Sequence, residues 1–298
     1  MSERFKPDFI GVGMAKCGST WVTQILQEHP DIFIPEKKEL NFFNETYFGV
    51  YREMAVNFNR GLDWYKKQFS ELKDESLVGE FSVTYFTDDK APQRIKEQFP
   101  DTKIIITLRN PVDMLQSYYW MFKRTSTQNY ESENFAEAID RDLKQDLAVE
   151  IGMYFKFLQK YFDVFGKENV FVVIFEDIKD KPKQVCKNLF DFLGADSEFI
   201  PEKANKRINL PVKTRSEGLQ KMAGVFLQLL EKLKLKSLYV FLLNNKLANS
   251  TYRKLNYQRY EYPKVDDKRR KKLLKYFETD IKKLSNLVNR DLSSLWSK

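Results

Sequence analysis

The sequence predicts an α/β protein: a three-layer domain with a central parallel sheet and a helical C-terminal extension. Two nearly continuous apolar runs, residues 103–108 (Lys-Ile-Ile-Ile-Thr-Leu) and 170–175 (Val-Phe-Val-Val-Ile-Phe), have the pattern of strands covered on both faces. Helical segments alternate with the strand signals up to about residue 200, as in repeated strand–helix–strand units. Beyond that point the strand signals stop and Leu-, Phe- and Lys-rich helical patterns take over.

In order, an apolar strand over residues 8–13 runs into a glycine-bearing turn and a helix over 20–28. That helix stops at His29-Pro30, because a proline disfavours helix in the residue before it. Short strands follow at 32–34 and 77–80, and helices at 90–98, 111–124, 134–144, 146–164 and 181–193. An amphipathic stretch spans 218–245, carrying Leu219, Met222, Val225, Phe226, Leu229, Leu230 and Leu233, and a basic helix spans 266–289. With no repeat and no linker, residues 1–298 read as one domain: a core over about 8–200 and a helical, lid-forming region over about 201–298.

Composition narrows the class. At 298 residues with 42% hydrophobic content the chain can bury a large core. No run of about 18 uncharged apolar residues occurs, and residues 1–8 lack the apolar centre of a secretion signal, so the expectation is a cytoplasmic protein without stable membrane insertion. Two cysteines, Cys17 and Cys186, are too few for a disulfide framework or a cysteine zinc site. The net charge of +8 is uneven: residues 201–298 hold 24 Lys and Arg against 9 Asp and Glu, leaving the rest acidic. Such a bias serves an anionic ligand, a nucleic acid or a membrane surface, and also describes an ordinary solvated helix face.

The turn after the first strand reads Gly11-Val12-Gly13-Met14-Ala15-Lys16-Cys17-Gly18-Ser19-Thr20-Trp21. Backbone N–H groups opening a helix lack intrahelical acceptors and carry partial positive charge, and Lys16 adds a full one, so the turn suits a phosphate. A Walker A loop has its lysine directly after the second glycine, whereas Lys16 here precedes Gly18 by two residues. A second element, Arg109-Asn110-Pro111 through Ser117, begins where the 103–108 strand ends. Ligands of open parallel sheets collect at that end, and Ser117 lies about two turns into the next helix. Two anion-binding elements point to a ligand with two separated phosphates.

These motifs resemble the sulfotransferases that use 3′-phosphoadenosine-5′-phosphosulfate (PAPS). Lys16, Cys17, Gly18, Ser19, Thr20 and Trp21 look like the family's 5′-phosphosulfate loop, and Arg109 with Ser117 like its 3′-phosphate element. Lys38-Glu39-Leu40-Asn41-Phe42-Phe43 is similar to a segment of the heparan-sulfate-type enzymes, Gly79-Glu80 through Tyr85-Phe86 to their next strand, and Phe175-Glu176-Asp177 with Phe192-Leu193-Gly194 to a later landmark. The resemblance covers residues 8–200 and reappears near 260–296. It implies a P-loop-like fold, PAPS as donor with 3′-phosphoadenosine-5′-phosphate (PAP) as product, and no metal. It also implies Lys16 on the leaving phosphate, Glu39 as general base, and a basic loop closing over the 3′-phosphate before the last helix, where Arg253, Lys254, Arg259 and Lys264 lie; Arg259 is the preferred member, with Lys206, Arg207, Lys213 and Arg215 as alternatives.

His29 is the chain's single histidine, and its place at a helix end marks it as structural. A working Glu39 must be partly desolvated, which Lys37 or Lys38 would oppose. Asn41, Phe81 and Asn44 depart from the glycan enzymes' usual residues, so the acceptor expected beside Lys38, Asn41, Glu80, Phe81 and Tyr85 is a less anionic or smaller molecule, apolar or ring-containing, with a saccharide still open. Two other readings stand beside this one: a nucleotide-dependent small-molecule kinase, and a basic module for nucleic acid or membrane surfaces. The ordered motifs of residues 8–118 favour the transferase and no nucleic-acid partner; the oligomeric state is unread.

Overall fold

The computed structural model describes residues 5–36, 38–45, 57–125, 135, 137–140, 148–206, 212–216, 245–260, 262–263 and 265–297, with isolated positions between 218 and 235. The chain forms two compact units: one comprises residues 1–119, 131–208 and 265–298, the other residues 120–130 and 209–264.

The first unit is built on a five-stranded, all-parallel sheet of order β2-β3-β1-β4-β5, from β1 (Phe9–Gly13), β2 (Ile32–Phe33), β3 (Leu77–Phe81), β4 (Lys103–Leu108) and β5 (Val170–Ile174). The helices that connect and follow these strands are α1 (Ser19–Glu28), α2 (Leu62–Lys67), α3 (Ala91–Gln98), α4 (Pro111–Thr125), α5 (Tyr154–Phe165), α6 (Phe175–Asp180) and α7 (Pro182–Leu193). The chain then passes through α8 (Lys246–Asn256) of the second unit and returns as α9 (Asp267–Leu287) and α10 (Leu292–Trp296).

β1 and β4 are buried along nearly their whole length because helices cover both faces. Phe9, Phe81, Ile105 and Val173 pack against Val22 and Ile25 of α1 and Leu189 and Phe190 of α7. On the other side α5 packs on β4 and α3, and the basic helix α9 lies on α5. Leu273, Phe277, Ile281 and Leu284 form the buried stripe of α9 at three- and four-residue spacing, so its many lysines occupy the remaining faces. The N-terminus of α9 is capped by the Asp266 side chain, which accepts from Arg269 N at 3.0 Å.

Between β1 and β3 two glycine–phenylalanine pairs lie in register, Phe9 with Gly79 and Gly11 with Phe81. A Cβ on Gly11 would stand 2.2 Å from the Phe81 ring, and one on Gly79 would stand 2.3 Å from the Phe9 ring. Each ring thus fills the space that its partner glycine leaves, and the strands' contact is set by these two exchanges.

The element boundaries follow the sequence with instructive differences. Phe175 opens α6 instead of closing β5, since Glu176 and Asp177 favour a helix start. The single helix expected over 146–164 is divided into a 3₁₀ turn, Ala148–Gly152, and α5; a Cβ on Gly152 would meet the Phe277 ring at 2.9 Å, so this turn lies directly under α9. Of the expected helix over 134–144, residues 135 and 137–140 are helical, and most of 218–245 lies outside the described residues. No helix among the described residues is long and apolar enough to cross a membrane.

The second unit contains an antiparallel pair, β6 (Val212–Thr214) with β7 (Tyr257–Arg259). Within it Trp120 stacks on Tyr262, with ring centroids 5.1 Å apart and ring planes nearly parallel.

Candidate active site

The carboxyl end of β1 is fastened to β4 before the chain turns. Met14 N donates to Thr107 O at 2.7 Å, and Thr107 Oγ1 donates to Gly13 O at 3.0 Å. Lys16 and Gly18 then take left-handed conformations, with φ of 65° and 98°. Gly18 is favoured by its φ, and a Cβ there would also press on the Ile178 Cδ1 methyl at 2.8 Å. The helix that follows, α1, has no side chain capping its N-terminus and no acidic residue in its first turn. Its N–H groups form the positive end of the helix dipole with no protein carboxylate competing for them.

The end of β4 delivers Arg109 to the same place. Its Nη1 donates to Lys16 O at 3.3 Å, its guanidinium lies 4.4 Å from the Phe175 ring centroid, and its Nε is buried with no acceptor. An unmatched buried donor costs about 1–3 kcal/mol, which an anionic oxygen at this point would recover. Arg109 therefore joins the two elements that the sequence predicts as anion-binding, and its open donor would suit a phosphorylated ligand. Ser117 is partly exposed on α4, two turns beyond Arg109.

A tight polar knot holds the start of α4. Asn110 Oδ1 accepts from Val112 N at 3.0 Å, and Asn110 Nδ2 donates to Trp296 O at 2.8 Å. Glu176 accepts from Asn110 N at 3.2 Å and from Trp296 Nε1 at 3.1 Å. Asp177 forms an ion pair with Arg290, and Asp113 one with Arg270 at 2.7 Å. Thus α9 and α10 brace the arginine end of the site.

The third element is the loop carrying Lys38 and Glu39. Lys38 Nζ donates to Ser19 Oγ at 3.2 Å and Thr20 Oγ1 at 3.5 Å, at the start of α1, and lies 3.8 Å from Glu39 Oε1. Glu39 has a φ of 64°; its N donates to Phe81 O at 3.0 Å, and its Oε2 accepts from Val83 N at 2.9 Å. Its side chain retains 28% of its exposure. Burial raises the carboxyl above its ordinary value, against the opposing pull of Lys38 and the Val83 N–H. Burial likewise lowers Lys38, and Glu39 opposes that shift. A half-desolvated carboxylate and an ammonium thus stand together beside the uncapped helix start.

Several predicted site residues occupy other places. Phe81 and Tyr85 do not present surfaces to an acceptor: they are 1% and 0% exposed, the first filling the space over Gly11 and the second buried against Phe43 and Glu80. Glu80 and Asn41 are buried too, within the hydrogen-bond network beneath the Glu39 loop. The Cys17 side chain is fully buried, its thiol pushed up to about 12 by burial, and Trp21 belongs to the core with Nε1 donating to Ala204 O at 3.2 Å. Both contribute backbone, not side chains, to the turn.

His29 is buried; its Nδ1 accepts from Asp31 N at 3.2 Å and its Nε2 donates to Asp196 O at 3.0 Å, so neither nitrogen is available as a base. Arg259 is exposed on β7 of the second unit. Lys206 is exposed near Glu202, whereas Lys37, Arg207 and Lys264 and the side chains of Lys213 and Arg253 lie outside the described residues. Asn110, Trp296, Ser82 and Val83 were not legible as site residues, because their contributions come through contacts distant in sequence or through a backbone N–H. Among the described residues no group of three or more His, Cys, Asp or Glu side chains is placed to hold a metal ion.

Comparison with known proteins agrees with this geometry. The family described as "Sulfotransferase domain" matches residues 6–222. Human heparan sulfate glucosamine 3-O-sulfotransferase 3B1 is 28% identical over 221 residues, covering 71% of this chain and 53% of that protein. The membrane-associated sulfotransferase kil1 of Dictyostelium discoideum is 32% identical over 116 residues, covering 38% of this chain and 22% of that protein. The chain spans about half the length of the curated heparan sulfate relatives it matches. The crystal structure of a sulfotransferase from Alicyclobacillus acidocaldarius superposes with a TM-score of 0.70 and 27% identity, covering 99% of this chain and 100% of that one. The uncapped turn after β1, the arginine at the end of β4 and the match over residues 6–222 together place this chain in the sulfotransferase domain family.

Proposed function

We propose that this chain transfers the sulfuryl group of PAPS to a hydroxyl or amine of a small-molecule or saccharide acceptor. The observation that carries this reading is the position of Lys38. One ammonium touches the hydroxyls of Ser19 and Thr20 at the anion-binding turn and approaches the Glu39 carboxylate, so an anion holder and a desolvated base share one corner.

Lys16, the N–H groups of Gly18, Ser19 and Thr20, Arg109 and Ser117 would hold the donor's phosphates, and the buried Arg109 Nε supplies the unmet donor that supports their fit. When bound, PAPS supplies an activated sulfuryl group on a phosphate leaving group. Lys16 neutralises charge at the leaving end. Glu39 Oε1 takes the acceptor's proton, and burial helps by bringing the carboxyl's basicity closer to the operating pH. Lys38 stabilises the ionised form of Glu39 and keeps it turned toward α1. Oε2 stays on Val83 N, so the carboxyl does not rotate away.

Calorimetry with PAP, with ATP and magnesium, and with an RNA oligomer separates this reading from a kinase and from a nucleic-acid module. PAP should bind, with affinity reduced at least about tenfold in Lys16→Ala and in Arg109→Ala. Glu39→Gln should preserve PAP affinity within about twofold and cost about 10²–10⁴ in turnover. Tight magnesium-dependent ATP binding without PAP binding would refute the proposal. Incubating a metabolite extract with enzyme and PAPS, then searching by mass spectrometry for the gain of one sulfuryl group, identifies the acceptor.

A further inference from the structure

The buried carboxyl of Glu80 lies in the middle of β3 and has no part in the chemistry proposed above. Its Oε2 accepts from Ser82 Oγ at 2.8 Å and its Oε1 from the Tyr85 hydroxyl at 3.0 Å. Having donated their protons inward, both hydroxyls offer lone pairs outward. Ser82 Oγ accepts from Asn41 N at 3.1 Å, and the Tyr85 hydroxyl accepts from Phe42 N at 2.7 Å. One carboxyl therefore fixes the direction of two hydroxyls, and these fix two successive backbone N–H groups of the Glu39 loop. Thr84 Oγ1 adds a third hold, donating to Asn41 Oδ1 at 2.8 Å.

The loop needs such restraint. Glu39 and Asn41 both have positive φ, 64° and 49°, conformations that cost non-glycine residues about 1–3 kcal/mol each when the surroundings do not impose them. Released from Ser82 and Tyr85, the segment would relax toward ordinary backbone angles and carry the Glu39 carboxylate off Val83 N and away from Lys38. A displacement near 1 Å in a reacting group can cost about a hundredfold in rate.

We infer that Glu80, acting through the Ser82 and Tyr85 hydroxyls, is a positioning residue that holds the Glu39 loop in its strained conformation and so aims the base. Its consequence for catalysis rests on the assignment of Glu39 as base made above; the positioning itself is measurable without any ligand. Ser82→Ala and Tyr85→Phe each delete one relay with a minimal change of volume, so Glu80 itself can be left in place.

The decisive measurement is a ¹³C NMR titration of the free protein with labelled glutamate carboxyls, the Glu39 signal being assigned by its absence in Glu39→Gln. In the parent protein Glu39 should titrate above the ordinary glutamate range, and in both relay variants its midpoint should move down toward the ordinary value of about 4.3 as the loop opens to water. A midpoint that stays in place in both variants overturns the positioning role, whatever their activity. Turnover with PAPS and the acceptor found by mass gain then tests the link to chemistry. It should fall on the order of tenfold in each relay variant with PAP affinity unchanged, and by less than about twofold when the same substitutions are made in Glu39→Gln. A midpoint that moves while turnover does not keeps the positioning role and removes Glu39 as the base; equal losses in both backgrounds overturn the claim that the relays act through Glu39.

Discussion

Glu80→Gln tests the buried carboxyl through stability alone. Burial pushes Glu80 from 4.5 up to about 7, against the stabilising hydrogen bonds from Ser82 and Tyr85, while Glu39 raises it further. Between those two values the folded protein binds a proton at Glu80 that the unfolded chain has released. Stability from this group is therefore complete below about pH 4.5, declines as pH rises, and is gone above about pH 7. At about 1.36 kcal/mol per pKa unit, the interval corresponds to about 3 kcal/mol. Glutamine occupies nearly the same volume and cannot titrate, so the parent-minus-variant difference removes the carboxylates the substitution leaves untouched; Glu39, which couples to Glu80, is removed by making both proteins in a Glu39→Gln background. Urea unfolding of both proteins at pH 5, 6, 7 and 8 should show the parent losing about 2–3 kcal/mol relative to the variant over that range, with most of the change below pH 7. A difference that is flat with pH, or that rises in the parent's favour, refutes the argument that burial governs this group.

Two further stability and reactivity predictions follow from packing. Gly11→Ala places a methyl 2.2 Å from a ring that is itself buried, and should destabilise by about 1–3 kcal/mol in urea unfolding, with partial recovery when Phe81 is shortened to Leu; a neutral substitution would mean that β1 and β3 separate freely. Cys17 and Cys186 are both buried with thiols raised to about 12, so a thiol reagent at pH 8 should modify neither until urea unfolds the chain. Rapid reaction of Cys17 in the folded protein would show that the turn between β1 and α1 opens locally.

Much of the fold was legible because its signals are local. The apolar runs of β4 and β5 announce strands covered on both faces, and the stop of α1 at His29 follows from Pro30. The tight turn between β1 and α1 was readable for the same reason, since its glycines, lysine and small polar residues act within a few positions of one another. Phe81 was misread as acceptor-facing because an aromatic residue beside a glutamate gives no sign of its burial; the cause is Gly11, distant in sequence but paired with it across the sheet. The roles of Ser82 and Tyr85 were likewise invisible, because each hydroxyl bonds a backbone N–H about forty residues earlier. The knot of Asn110, Glu176 and Trp296 brings together residues from three distant stretches of chain, which no periodicity records.

That knot has a consequence for the order in which the protein can become competent. Asn110 and Trp296 are separated by 186 positions, and the second unit's 209–264 segment is made between them. During synthesis, β1, β3, β4 and their helices emerge early enough to pair, yet the backing of the arginine end arrives only when residues 267–296 dock. Closing so long a loop is slow even though its entropic cost grows only logarithmically with length. A nascent chain that has completed its parallel sheet therefore holds Arg109 on a strand end still lacking its brace. The last helices determine when, in the life of each molecule, the strand end that carries Arg109 is fully backed.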